Sequence, residues 1–142
     1  MPTRKAHAEW NGALDSGQGR MEFGSGAFEG AYSFKSRMQD GPGTNPEELI
    51  GAAHAGCFSM ALSVVLGDQG HTADSITTDA KVKFEQQGEG WAITGIELTT
   101  VGKVPGMEED AFVKAAEAAK ENCPVSVALK AVDITLNASL AS

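Results

Sequence analysis

Cysteine is scarce in this chain, with only Cys57 and Cys123 among 142 residues. Two cysteines cannot form the disulfide framework by which small secreted proteins replace a core, and a chain of this length needs no such staple. Basic residues are also few, 11 against 19 acidic ones for a net charge of −8. No Lys/Arg stripe is available to meet phosphates, which argues against a nucleic-acid or anionic-membrane binder. The opening MPTRKAHAEW has two basic residues but no apolar run behind them, so no secretory signal is expected. No 18-residue stretch reads as free of polar interruption in the manner of a membrane span. Repeats, low-complexity tracts and charge blocks are absent as well. The expectation is one soluble, cytoplasmic domain over residues 1–142.

What is present is 42% apolar and 21% charged, the balance of a globular protein. KAHAEWNGAL alternates Ala6, Ala8 and Trp10 with polar neighbours, as a half-buried strand does. GRMEFGS and GAYSFKSRM follow between Gly-rich turns, which predicts a three-stranded antiparallel meander. In DGPGTNPEELIG, Asn45 is a suitable N-cap, Pro46 suits the first helical position, and Glu48 completes a capping-box-like pattern. The helix should run to about Leu66, on the order of 30 Å, with Gly67 or Gly70 ending it. After its first turn it has no polar face. A helix apolar all round is buried all round, and a domain of this size can hardly enclose one, so a partner subunit is expected to cover part of it. A long hairpin follows, with Val82 and Phe84 on one arm and Ile93, Ile96 and Leu98 on the other. Then comes an amphipathic helix buried through Phe112, Ala115, Ala116 and Ala119. Pro124 ends it or starts a new turn, and KAVDITLNASL is the last strand. The order βββ-α-ββ-α-β is an α+β pattern.

Chemistry concentrates in GAAHAGCFSMAL, residues 51–62. Cys57 lies mid-helix, where the dipole gives its thiolate no help, so a nucleophilic role needs a cation nearby. His54, at i−3, shares its face. A Cys–His pair suits an activated nucleophile or a metal site. The metal alternative is poor, because only His7 and His71 remain and neither has ligand spacing. Cys123 reads as an inert small hydrophobe or as half of a redox pair. Arg37, just before the DGPG loop, would depress the pKa of a thiol it approached. Glu47 or Glu48 offers it a planar, bidentate partner. The residues alone leave open the plainer reading of a solvated Arg and two acids favoured by the helix dipole.

GTNPEELIGAAHAGCFSMAL, with NCPVSVALKAVDITL and AHAEWNG, resembles the osmotically inducible protein C branch of the OsmC/Ohr family, which contains thiol-dependent organic hydroperoxide reductases. The resemblance implies an intertwined α+β homodimer with long buried central helices back to back and active sites at the subunit interface. It implies a peroxidatic role for Cys57, a resolving role for Cys123, the active-site cation at Arg37 and its holding carboxylate at Glu47, while Glu48 matches the helix-cap position. An organic hydroperoxide is the implied substrate, reduced through a Cys57 sulfenic acid and a Cys57–Cys123 disulfide. An external dithiol, with lipoyl-bearing proteins one family-level source, restores both thiols. No cofactor and no metal are implied. Phe58, Met60 and Met38 are the bulky residues available for an apolar pocket wall. His54 is left between tuning the pocket, a hydrogen bond across the dimer, and catalysis.

Two rivals make different demands. A redox-sensing or ligand-binding stress protein on the same scaffold would form the disulfide without turnover. A Cys–His acyl-transfer enzyme would need an orienting Asn/Asp and an oxyanion hole that the sequence does not display, and would leave Cys123 without a task.

Overall fold

The structure is a computed structural model that describes residues 2–142. Its elements are β1 (Ala6–Asn11), β2 (Gln18–Phe23), β3 (Glu29–Tyr32), α1 (Phe34–Met38), α2 (Pro46–Asp68), β4 (Ser75–Gln87), β5 (Gly90–Lys103), α3 (Glu109–Asn122), α4 (Pro124–Ala128) and β6 (Asp133–Leu140). The α+β class and the order of the main elements are as expected, with two short helices added. The chain divides into two compact units, residues 1–49 and 50–142, and α2 begins in the first and continues through the second.

In the first unit β1, β2 and β3 form the antiparallel meander. Two expectations fail there. The alternation of Ala6 and Ala8 does not mark burial, since both are exposed along β1. The segment GAYSFKSRM is not one strand either: β3 stops at Tyr32 and α1 starts at Phe34. The cause is a capping box, in which the Ser33 hydroxyl accepts from Ser36 N at 3.1 Å and the Ser36 hydroxyl accepts from Ser33 N at 2.8 Å. Ser36 is buried and also donates to the Thr44 carbonyl at 2.7 Å, while Asn45 Nδ2 donates to the Ser36 carbonyl at 3.1 Å. These bonds fix α1 against the start of α2. Asn45 caps α2 by accepting from Glu48 N at 2.8 Å. The Glu48 carboxylate does not close a capping box, because Thr44 Oγ1 donates to it at 2.8 Å instead.

In the second unit β4 and β5 pair antiparallel around Gly88–Glu89, where Gly88 takes a φ of +61° that suits the two-residue turn. The last strand, β6, lies parallel to β5, and the connection between them is α3 and α4. The core joins Phe58, Leu62 and Leu66 of α2 to Ile96 and Leu98 of β5 and to Phe112, Ala115, Ala116 and Ala119 of α3, the last four being the expected stripe. Gly102 lets α3 close on the sheet, since a Cβ there would stand 2.5 Å from the Phe112 ring.

Helix α2 is buried within this chain on one face: His54, Phe58, Leu62 and Leu66 are at 0% exposure, whereas Met60 is 74% and Val64 61% exposed. One-sided burial within a single chain is what the expectation of a partner over the remaining apolar surface requires. By length and composition this helix is also apolar enough to cross a membrane, contrary to the reading of its polar interruptions. Two of its hydroxyls bond back to the helix backbone. Ser59 Oγ donates to the Ala55 carbonyl at 2.8 Å and Ser63 Oγ to the Met60 carbonyl at 2.6 Å. The core helix of a soluble protein passes the same test, and α2 carries buried side chains that pack on the sheet of the second unit.

Candidate active site

Two clusters contain the residues singled out in the sequence, one in each unit. In the first, Arg37 projects from the last turn of α1 and Glu47 from the first turn of α2. Arg37 Nε meets Glu47 Oε1 at 2.9 Å and Nη2 meets Oε2 at 3.0 Å, a bidentate pair. The Glu47 side chain is only 8% exposed and the Arg37 side chain 40%, so the carboxylate is the fixed member and the guanidinium the presented one. Glu48 is exposed and held by Thr44, which separates its task from that of Glu47. Met38 is half-buried.

The second cluster brings Cys57 and Cys123 together as free thiols, although 66 residues separate them in sequence. Cys57 is half-buried on α2 and Cys123 is fully buried. The position of Cys123 follows from Pro124. A residue before proline is pushed out of helical conformation, and Cys123, at φ −55° and ψ 125°, ends α3 and precedes α4. With Pro124 in the first turn of α4, the N–H groups of Val125 and Ser126 have no partner inside that helix. No cap hydrogen bond of full geometry forms on the Cys123 sulfur, yet both N–H groups and the Ser126 hydroxyl lie close enough to favour its negative form.

The two thiols are pushed in opposite directions. Burial, and next the contact with Cys123, raises the Cys57 thiol above its ordinary value, against a smaller pull from the Val125 N–H. Burial acts upward on Cys123 too, but Cys57, the N–H and hydroxyl of Ser126 and the Val125 N–H together outweigh it and hold that thiol below its ordinary value. Within this unit, then, a single negative charge favours Cys123, and access favours Cys57.

His54 lies one turn before Cys57, fully buried, with Nε2 2.7 Å from the Ser126 hydroxyl. Its Nδ1 is buried without a partner, and burial lowers its pKa, so the ring is neutral. Phe58 belongs to the core beneath α2, and Met60 is exposed. Ser126 and Val125 escaped the sequence reading. The run Cys-Pro-Val-Ser held the signal, since Pro marks the first helical position and puts Ser at the third, beside the residue that precedes the helix. Among the described residues no group of three His, Cys, Asp or Glu side chains is placed to hold a metal ion.

The decisive likeness is to the family model described as OsmC-like protein, which matches residues 39–137 and so spans α2, β4, β5, the first part of β6 and both cysteines. The chain belongs to the OsmC-like protein family. Peroxiredoxin OsmC of Escherichia coli (strain K12) is 46% identical over 140 residues, 98% of this OsmC-like chain and 97% of that protein. An organic hydroperoxide resistance protein of Xanthomonas axonopodis pv. citri (strain 306) is 34% identical over 98 residues, covering 68% and 67%. The fold is shared with the crystal structure of an organic hydroperoxide resistance protein from Elizabethkingia anophelis, at a TM-score of 0.79 and 24% identity over 99% of this chain and 98% of that one. The OsmC-like architecture therefore agrees with the fold class expected from the sequence.

Proposed function

We propose that this chain is a thiol-dependent peroxidase that reduces organic hydroperoxides to alcohols in oxidative and osmotic stress defence. The observation that carries this reading is the pairing of two free thiols, one partly reachable and one fully buried, in a chain whose relatives are named peroxiredoxin and organic hydroperoxide resistance protein. The partly exposed Cys57 is the sulfur a hydroperoxide reaches. Its thiolate attacks the distal oxygen of ROOH, the O–O bond breaks, and the departing alkoxide takes a proton to leave as ROH. Cys57 is now a sulfenic acid. The Cys123 thiolate attacks the Cys57 sulfur, the S–S bond forms, and the displaced hydroxide becomes water with the proton Cys123 gave up. An external dithiol, with a lipoyl-bearing protein as the proposed source, returns both sulfurs to thiols by exchange.

Because burial and Cys123 raise the Cys57 pKa, this step needs a cation. We assign that task to Arg37, oriented by its bidentate pairing with Glu47. The proposed unit of action is a cytoplasmic homodimer joined through the exposed apolar face of α2 around Met60 and Val64, with residues 1–142 acting as one functional domain. The test is consumption of cumene hydroperoxide with excess dihydrolipoamide. Turnover far beyond one equivalent is expected, lost in Cys57→Ser and limited to one round in Cys123→Ser. Consumption that stops at one equivalent in the parent would make the chain a sensor instead, and full turnover in Cys57→Ser would end the proposal.

A further inference from the structure

His54 and Ser126 each stand three residues from one of the paired cysteines: His54 before Cys57 on α2, and Ser126 after Cys123 in the first turn of α4. Their side chains meet at 2.7 Å across 72 residues of sequence. Both residues are buried, His54 at 0% and Ser126 at 6% exposure. A histidine placed in a core at that depth costs several favourable contacts with water, and here only one of its two nitrogens is repaid. Neither the first oxidation step nor the Arg37–Glu47 pair uses this contact. It joins the two elements that carry the sulfurs, at the level of the sulfurs.

The hydroxyl of Ser126 has one proton, stands 2.7 Å from an imidazole nitrogen, and belongs to the first turn of α4, the helix that Cys123 immediately precedes. If that proton points at His54, Nδ1 must be the protonated nitrogen, and a buried N–H is left with nothing to bond. If it points at Cys123, Nε2 carries the ring proton and donates to Ser126, and the orphan is a bare lone pair. Unpaired buried N–H groups are the rarer and costlier of the two. The second arrangement has His54 Nε2–H donate to Ser126 Oγ and frees the Ser126 proton to turn toward the Cys123 sulfur at the start of the same helical turn.

The geometry points to His54 and Ser126 as positioning residues for disulfide closure: His54 orients the Ser126 hydroxyl proton toward Cys123, so that Cys123 is the thiolate that attacks oxidised Cys57. This rests on the resolving role proposed for Cys123. In the closing step a Cys123 sulfur lone pair becomes the S–S bond, the S–O bond of the sulfenic acid breaks with its pair on oxygen, and hydroxide leaves as water with the Cys123 proton. The Cys123 sulfur is thereby oxidised and the Cys57 sulfur reduced by one electron each. His54 neither gains nor loses a proton. The other ionisable groups beside the row are Cys57 on α2, together with Lys120 and Glu121 of α3 and Lys130 beyond α4. These last three line a cavity of about 300 Å³ that Ser126 also lines. Lys120 is engaged there by Glu117 and Glu121. On the sheet side α2 meets hydroxyls, Ser59 bonding Thr78, which bonds Thr100.

The test needs no hydroperoxide. In a Cys57→Ser background Cys123 is the only cysteine, and its ionisation is followed by the ultraviolet absorbance of the thiolate against pH. Loss of one oriented neutral donor should raise the midpoint by about half to one pH unit in Ser126→Ala and in His54→Ala. His54→Gln, which can present an N–H near the Nε2 position, should restore most of it. A purely structural contact would leave the midpoint where it is. In the chain with both cysteines, oxidised by one equivalent of cumene hydroperoxide, Ser126→Ala should slow disulfide closure about three- to tenfold below that midpoint. A Ser126→Ala midpoint equal to the parent's overturns the proposal, and this one-atom deletion decides the question alone should His54→Ala not fold. Failure of the parent to consume hydroperoxide is a separate result, which counts against the peroxidase reading and leaves the titration intact.

Discussion

Gly102→Ala places a methyl group of β5 against the buried Phe112 ring of α3. The added Cβ would stand 2.5 and 2.6 Å from two ring carbons of Phe112 and 3.4 Å from a methyl of Val104. Contacts of that length require movement, and Phe112 is at 0% exposure, so its ring has no free space to enter. Overpacking of this kind costs about 1–3 kcal/mol. Losing a glycine from the unfolded chain gives back about 0.4–1 kcal/mol, which leaves a net destabilisation of about 1–2 kcal/mol. With a urea dependence of about 2 kcal/mol/M, the midpoint should fall by about 0.5–1 M at unchanged slope. Phe112→Leu shortens the obstructing ring at a cost of its own, so the double variant should be more stable than the sum of the single changes predicts. The coupling should be near 1 kcal/mol, above the about 0.3–0.5 kcal/mol within which independent sites add. All four proteins are compared at one concentration, because association would shift every midpoint. Additive single changes, or a Gly102→Ala variant as stable as the parent, would refute the packing argument.

Arg37→Ala should slow Cys57 oxidation about tenfold near neutral pH and move its rate-versus-pH profile upward, the consequence of removing one cation from a thiolate; stopped-flow oxidation with an unchanged profile refutes that assignment. Changing Met60 and Val64 together to Glu adds charges to the exposed face of α2 and should convert the proposed dimer to monomer in sedimentation, and a dimer that persists would place the interface elsewhere. His54 supplies a pH dependence. Its folded pKa is depressed by burial from the ordinary 6.5, so below that value the unfolded chain takes up a proton first. Stability is therefore full above the ordinary pKa and is lost as pH falls toward the depressed one. The urea midpoint should decline over that interval in the parent and decline less in His54→Gln; equal slopes would show that the ring titrates alike in the folded and unfolded chain.

The sequence made some of this visible because certain signals are local. Asn45-Pro46 locates the start of α2 through groups within one turn of each other, and the Phe112-Ala115-Ala116-Ala119 stripe predicts which side of α3 is buried. Other features depend on relations that periodicity does not encode. The Ser33–Ser36 capping box is a four-residue signal inside a segment whose alternation imitates a strand, and α1 was read as β for that reason. Strand β6 was expected, but its parallel pairing with β5 depends on how α3 and α4 return the chain. The single buried face of α2 could not be inferred from a helix apolar on every side. The site shows the same division. Cys57, Cys123, Arg37 and Glu47 drew attention through their residue types and the family resemblance. Ser126 did not, because its significance lies in a contact with a histidine 72 positions earlier.

The separation of the two cysteines has a consequence during biosynthesis. At about 5–20 residues per second, the 66 positions between them take roughly 3–13 s to translate. Throughout that interval a nascent chain carries Cys57 and His54 on a helix whose buried face has neither α3 to cover it nor Cys123 and Ser126 to meet it. Strand β6, which pairs with β5 through residues 133–140, is made later still. The thiol pair thus cannot form until most of the chain has been made. A hydroperoxide that oxidised Cys57 earlier would meet a sulfur with no resolving partner, so the newly made chain is vulnerable to the compound that the finished one is proposed to remove.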